Sequence, residues 1–334
     1  MSFELSSLDG APRLLFEIAL QPMQGSRFQP TGFPGLGAAT FQTASGTSLL
    51  VESAQSMANR LETVCWDDAE QNLKPELAGL SHVRIMWREK FLSDTVLEAH
   101  RINSPYLLAG KDKSFFNKLA GELGTLEQGP IDRKLLASVL LKYDVGTLLH
   151  GAFLAKKELA GGRLRLARAL SAFIEADGVR TAASGGVKND HINPSGLTKE
   201  GFGNVPFARD EFTAERITLF VNLDLAQIRG YGLGADVEHM LVVLALYKLR
   251  TLIDGNLRLR TACDLKPISR DPVASVPDGF QLPARSELVH ALKPAIARCK
   301  AQMSVTVVNF DDDLKKAKPE DAEPADELES SNGN

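Results

Sequence analysis

Residues 13–20, Arg13-Leu14-Leu15-Phe16-Glu17-Ile18-Ala19-Leu20, alternate with a period of two. Leu14, Phe16, Ile18 and Leu20 share one face and Arg13, Leu15, Glu17 and Ala19 the other, the pattern of a strand half buried in a sheet. The same period returns at Ser48–Glu52, and at 82–88, where Val83, Ile85 and Trp87 oppose Arg84, Met86 and Arg88. It is clearest at Arg216–Leu225, with Ile217, Leu219, Val221, Leu223 and Leu225 on the core face. It recurs at Asn256–Asp264, where Arg258 and Arg260 oppose Leu257 and Leu259, and a closing strand is expected at Ser304–Phe310.

Helical spacing separates these strands. From Ser53, the apolar positions Ala54, Met57, Ala58, Leu61, Val64 and Cys65 repeat as one helix face, with Ser56, Asn59, Arg60 and Thr63 on another. Residues 94–160 read as mainly helical, and Asp132 is placed to cap RKLLASVLLKY. Val237–Ile253 is a strongly apolar helix with Gly255 at the C′ position, and 286–302 is a helix bent or broken by Pro294. Arg163–Leu170 fits a strand or a helix start equally. Strands flanking helices, with no internal repeat, imply an α+β fold whose sheet is of mixed order. A ferredoxin-like or RRM-like core with large insertions fits that pattern.

Composition narrows the classes of function. At 334 residues, 44% hydrophobic and 24% charged, the chain can bury a sizeable globular core. No apolar run reaches the roughly 20 residues that span a bilayer, and the first residues lack the pattern of a secretory signal. Cys65, Cys263 and Cys299 are widely separated and form no CxxC pair, so core positions in a reduced, cytoplasmic setting are expected. The net charge of −4 is uneven. Residues 311–334 carry nine acidic and three basic residues, a net of −6, which leaves residues 1–310 at +2. That acidic tail has no aromatic residue and only two leucines, and is expected to be disordered.

The residues that invite a ligand lie in polar loops. Gln24-Gly25-Ser26-Arg27-Phe28-Gln29-Pro30-Thr31-Gly32-Phe33 follows the first strand, and Ser53, Gln55, Asn59 and Arg60 open the first helix. Arginine suits phosphate, Gly25 and Gly32 let backbone N–H groups approach a ligand, and Phe28 and Phe33 can stack on bases or brace the loop. Arg258 and Arg260, two residues apart on a strand, match consecutive phosphates. Residues 181–212 form a long Gly/Asn/Pro/Ser-rich segment, a functional loop or an extended hairpin, holding Lys188, Asn189, Asp190 and His191. These features suggest a binder of single-stranded nucleic acid, in a local groove because the folded part is near neutral.

Catalytic signatures are sparse. His191 beside Asp190, with His100-Arg101 assisting, could act as a general base for RNA cleavage. The sequence has no nucleophile elbow, HExxH or GxxxxGK[ST] motif, and no ligand cluster for a metal. A hydrogen-bonded loop is the simpler account of Asp190-His191, so no catalytic residue, metal or cofactor is assigned.

Six blocks together resemble one family: QGSRFQPTGFPGLGAATF, LLVESAQSMANRLETVCWD, EAHRINSPYL, SGGVKNDHINPSG, GFGNVPFARDEFTAERITLF and NLRLRTACDL. They look like the backbone subunit of type I-G (formerly I-U) CRISPR Cascade complexes, within the RAMP superfamily, over about residues 13–265. The resemblance implies a modified RRM-like palm over 1–310, a helical insertion at about 94–160 and a β-hairpin thumb at about 181–212. It implies copies polymerising along one crRNA, beside crRNA-end-capping and large subunits, and a guide presented for pairing with target DNA. Backbone recognition would fall to Gln24, Ser26, Arg27, Gln29, Ser53, Gln55, Asn59, Arg60, Lys188, Asn189, His191, Arg258 and Arg260, with no membrane contact. Some RAMP proteins cleave precursor crRNA with a histidine, which makes His191 or His100 the alternative.

Overall fold

The computed structural model describes residues 5–32, 37–44, 46–124, 130–154, 156–159, 162–200, 202–255 and 257–314. Phe33, Asn256 and residues 315–334, most of the acidic tail, lie outside them.

The first half of the chain runs β1 (Arg13–Pro22), β2 (Ala39–Thr43), β3 (Gly46–Glu52), α1 (Ala54–Thr63), the short β4 (Trp66–Asp67) and β5 (Asn72–Leu73), β6 (His82–Trp87) and β7 (Lys90–Asp94). Helices α2 (Pro105–Leu108), α3 (Ser114–Leu123), α4 (Arg133–Tyr143) and α5 (Val145–His150) follow, then β8 (Ala152–Leu154), β9 (Leu164–Leu166) and β10 (Leu170–Asp177). A hairpin of β11 (Arg180–Lys188) and β12 (Val205–Thr213) leads into β13 (Arg216–Asp224), α6 (Leu225–Gly230) and α7 (Ala235–Asp254). The chain finishes with β14 (Leu257–Arg260), β15 (Cys263–Pro267), α8 (Arg285–Cys299) and β16 (Val305–Asn309).

The main sheet has seven strands in the order β14-β15-β1-β13-β10-β3-β2, all paired antiparallel. Register carries the alternation of β1 across the sheet. Phe16 faces Val221, which faces Ala172, and Ile18 faces Leu219, which faces Ile174. Those side chains form the buried face, covered by helices that include the almost wholly buried α7. The opposite face carries Phe173 stacked on Phe220 at 5.1 Å between ring centroids. Glu17 stands opposite Phe220 and Glu175 opposite Thr218, so carboxylates beside the aromatic pair disfavour a phosphate backbone there.

Four expectations change. The mixed sheet is two sheets: β6, β7 and β16 form a separate three-stranded sheet, in which β16 runs parallel to β6. Where one run of alternation was expected over 256–264, the described residues from Leu257 form a hairpin of β14 and β15 that turns at Thr261-Ala262. Gly255 ends α7 at φ −85°, so it closes the helix without a left-handed turn. Pro294 sits inside α8 without breaking it, since the helix continues to Cys299. Asp132 does cap α4, accepting from Leu135 N at 3.0 Å. All three cysteines are buried and free. No helix among the described residues is long and apolar enough to cross a membrane.

Strands β11 and β12 form a two-stranded sheet of their own, in register from Arg180↔Thr213 to Lys188↔Val205, and a bridge from Phe212 to Phe28 joins the base of β12 to the loop after β1. Nine residues at about 3.3 Å each carry this hairpin roughly 30 Å from the sheet. Beyond its strands Ile192, Leu197 and Phe202 are exposed.

Candidate nucleic-acid interface

The polar loop after β1 is pinned along its length. Met23 N donates to Asp264 O (2.7 Å), Gln29 N to Ala262 O (2.8 Å), and Phe28 exchanges backbone bonds with Phe212 at the hairpin base (2.9 and 2.8 Å). The Phe28 ring is buried in the core, so it braces the loop and is closed to bases. Gly25 takes φ +67°, a left-handed conformation for which glycine is suited. These constraints bring Gln24, Ser26 and Arg27 together with Arg258 around a cleft of about 470 Å³. Its charge is balanced: Glu211 and Asp264 line it too, and Arg27 pairs with Glu211 at 3.2 Å.

Other expected contacts have partners inside the protein. Ser53 Oγ caps α1, accepting from Ser56 N at 3.3 Å. Arg260 donates to Pro30 O at 2.9 Å, and Gln29 Oε1 is buried without a partner. Arg60 donates to Leu259 O (2.8 Å) and Arg258 O (3.3 Å), and lies 3.5 Å from Glu52, a carboxylate with no exposure. Its guanidinium thus joins α1 to the edge strand β14. Arg60→Ala is expected to lower stability by about 1–3 kcal/mol by stranding buried groups. Arg258→Ala, at an exposed position, should stay within about 0.5 kcal/mol of the parent when both variants are compared with it in urea melts.

Lys188, Asn189 and His191 lie at the far end of the hairpin, beyond or at its last strand pair and away from the sheet. Asp190 does not orient His191. Its carboxylate accepts from Ile192 N, Asn193 N and Gly203 N at 2.9–3.0 Å, and these bonds hold its pKa below the usual carboxylate value. The pair is a turn-building unit, which removes the geometric basis for a His-Asp dyad. Among the described residues no group of His, Cys, Asp and Glu side chains is arranged to hold a metal.

Gln55 and Asn59, one turn apart on α1, line a second cleft with His100, Arg101, His150, Arg165 and Arg168. Below it lies a buried polar cluster that the sequence did not disclose. Arg101 Nε donates to Glu62 at 2.9 Å and its Nη2 lies 2.6 Å from the other carboxylate oxygen, and Lys248 Nζ lies 2.9 Å from His150 Nε2. Burial pushes the Glu62 carboxyl up to about 7 against the pull of Arg101, and sends His150 well down, helped by the Lys248 charge. The RLRLAR run, which its sequence left open between a strand and a helix start, forms β9 and the segment after it that carries Arg168 to this side.

The architecture is therefore an α+β core with an antiparallel sheet, a separate hairpin and two clefts, one beside the loop after β1 and one lined by α1. The family model described as CRISPR-associated protein GSU0053 matches residues 14–181, half of the chain. The chain belongs to that CRISPR-associated family. No curated protein matches it. Among solved structures, a chain described as "CRISPR RNA-guided surveillance complex, pre-nicking" is similar at 14% identity and a TM-score of 0.39, with 76% of each chain covered.

Proposed function

We propose that this protein is the non-catalytic, guide-RNA-binding backbone subunit of a type I-G CRISPR Cascade complex, a RAMP protein acting in the cytoplasm. Membership of a CRISPR-associated family carries the reading. The two cation-bearing clefts support it, because a guide held for pairing must be gripped by its phosphates and sugars while its bases stay free. The sheet, with its helices, would be the palm, and the 180–213 hairpin the thumb. Copies would line up along one crRNA, with end-capping and large subunits at the ends, and target DNA would enter through the guide.

Co-expression with a CRISPR array, followed by purification, tests this directly. The expected product is an assembly larger than a monomer that carries RNA of one length class, with affinity falling steeply in salt and varying little with guide sequence. A monomer free of nucleic acid at low salt would refute the reading. Incubation of the purified chain with precursor crRNA should leave the RNA intact; cleavage abolished by His191→Ala or His100→Ala would establish the endoribonuclease instead.

A further inference from the structure

The second cleft, about 900 Å³, is the more strongly built of the two for an anion. Three arginines and two histidines line it, without an Asp or Glu among them. Arg101 contacts Glu62 beneath, at 2.6 Å. Among the described residues no carboxylate pairs with Arg165 or Arg168. Arg168 Nη2 is instead held by the Gln55 side-chain oxygen, and burial together with the Arg101 charge depresses the Arg168 pKa. An anion there would relieve crowding between like charges.

The unsatisfied atoms are as specific as the charge. Arg168 Nε, Asn59 Oδ1 and His150 Nδ1 are buried without partners, and His150 is only 1% exposed. Because His150 Nε2 faces the Lys248 ammonium at 2.9 Å, it accepts, and Nδ1 carries the ring hydrogen. Two orphaned donors require an acceptor-rich group, whereas the Asn59 oxygen requires a hydroxyl or N–H. At the rim Phe153 is 43% exposed and carries the Arg165 guanidinium 4.4 Å above its ring, a flat platform of the kind that bases stack on. Arg101 holds φ +51° in the 100–103 turn, a conformation sparsely populated by non-glycine residues.

We propose that this cleft seats one ribonucleotide of a single strand, with its phosphate on Arg165, Arg168 and His150 and its 2′-hydroxyl donating to Asn59. The proposal rests on the RNA-binding reading and assigns that binding chiefly to this cleft, ahead of the charge-balanced one beside Arg27. A phosphodiester satisfies the donors and the ribose hydroxyl satisfies the acceptor, so RNA is favoured over DNA of the same sequence.

The full chain, stripped of co-purified nucleic acid, would be titrated with labelled single-stranded RNA and with the matching DNA at several salt concentrations. Arg165→Gln/Arg168→Gln is expected to weaken RNA binding about tenfold or more and to flatten the log–log salt slope by about 0.7 for each phosphate that is no longer neutralised. Asn59→Ala should narrow the preference for RNA over DNA. The exposed single variant Arg165→Gln, expected to lose a smaller factor, guards against misfolding of the double variant. A folded double variant with parental affinity and slope overturns the proposal while leaving the RNA-binding reading intact. An unchanged RNA-to-DNA ratio in Asn59→Ala overturns the sugar contact. A parent chain that binds neither strand overturns both this proposal and the reading beneath it.

Discussion

Arg101→Ala should cost about 3–5 kcal/mol of stability, because it leaves one half of a buried ion pair alone. Arg101 and Glu62 are 4% and 2% exposed. Their two contacts, at 2.9 and 2.6 Å, tie the 100–103 turn to α1. Desolvation, the largest influence on Glu62, already raises its carboxyl to about 7 despite the arginine. The folded chain therefore binds that proton more tightly than the unfolded chain does. Its contribution is favourable below the ordinary value of 4.5 and declines as pH rises from about 4.5 through 7. Without Arg101 the folded value climbs further, so the decline deepens and extends to higher pH. The deficit between parent and variant should consequently be larger in urea melts at about pH 8 than at about pH 5. Equal deficits at both would mean that Arg101 acts through packing alone. Adding Glu62→Gln to the variant should return part of the loss at the higher pH, since the buried carboxylate left without its arginine is then gone.

The strands that sequence disclosed are those whose buried positions are large. Leu14, Phe16, Ile18 and Leu20 in β1, and Ile217, Leu219, Val221 and Leu223 in β13, stand out from their polar neighbours. β10 alternates just as strictly, but Ala172 and Ala176 supply half of its inward positions and Phe173 points outward, so the contrast is weak. The three-stranded sheet was not legible at all. β6 and β16 look like any other strand locally, and only folding brings Val305 beside His82. Site residues divide on the same principle. Residue type singled out Arg27, Arg60, Arg258 and Arg260 alike, but whether a guanidinium faces solvent or a carbonyl depends on partners far along the chain, as Arg60 and Leu259 show. The role of Arg168 is invisible in sequence because it depends on Gln55, which lies 113 residues earlier.

Phe28→Ala should open the loop and the hairpin base together, even though Phe28 touches no ligand in the proposed mode. The ring is 1% exposed and Phe212, its backbone partner, 5%. Truncating a buried phenylalanine costs about 3–5 kcal/mol when the cavity cannot collapse. Here the two backbone bonds to Phe212 connect only short segments, so much of the loss should appear as local opening ahead of global unfolding. Amide exchange is expected to accelerate at residues 28–31 and 205–213, while the amides of α7 keep most of their protection. Binding through the Arg27–Arg258 cleft and through the hairpin should fall with it, because both walls hang on the same bridge. Phe28→Leu, which retains most of the buried volume, should restore exchange and RNA retention towards parental levels. Unchanged exchange in the alanine variant would show that Arg260, through Pro30, and Gln29, through Ala262, are sufficient to hold the loop.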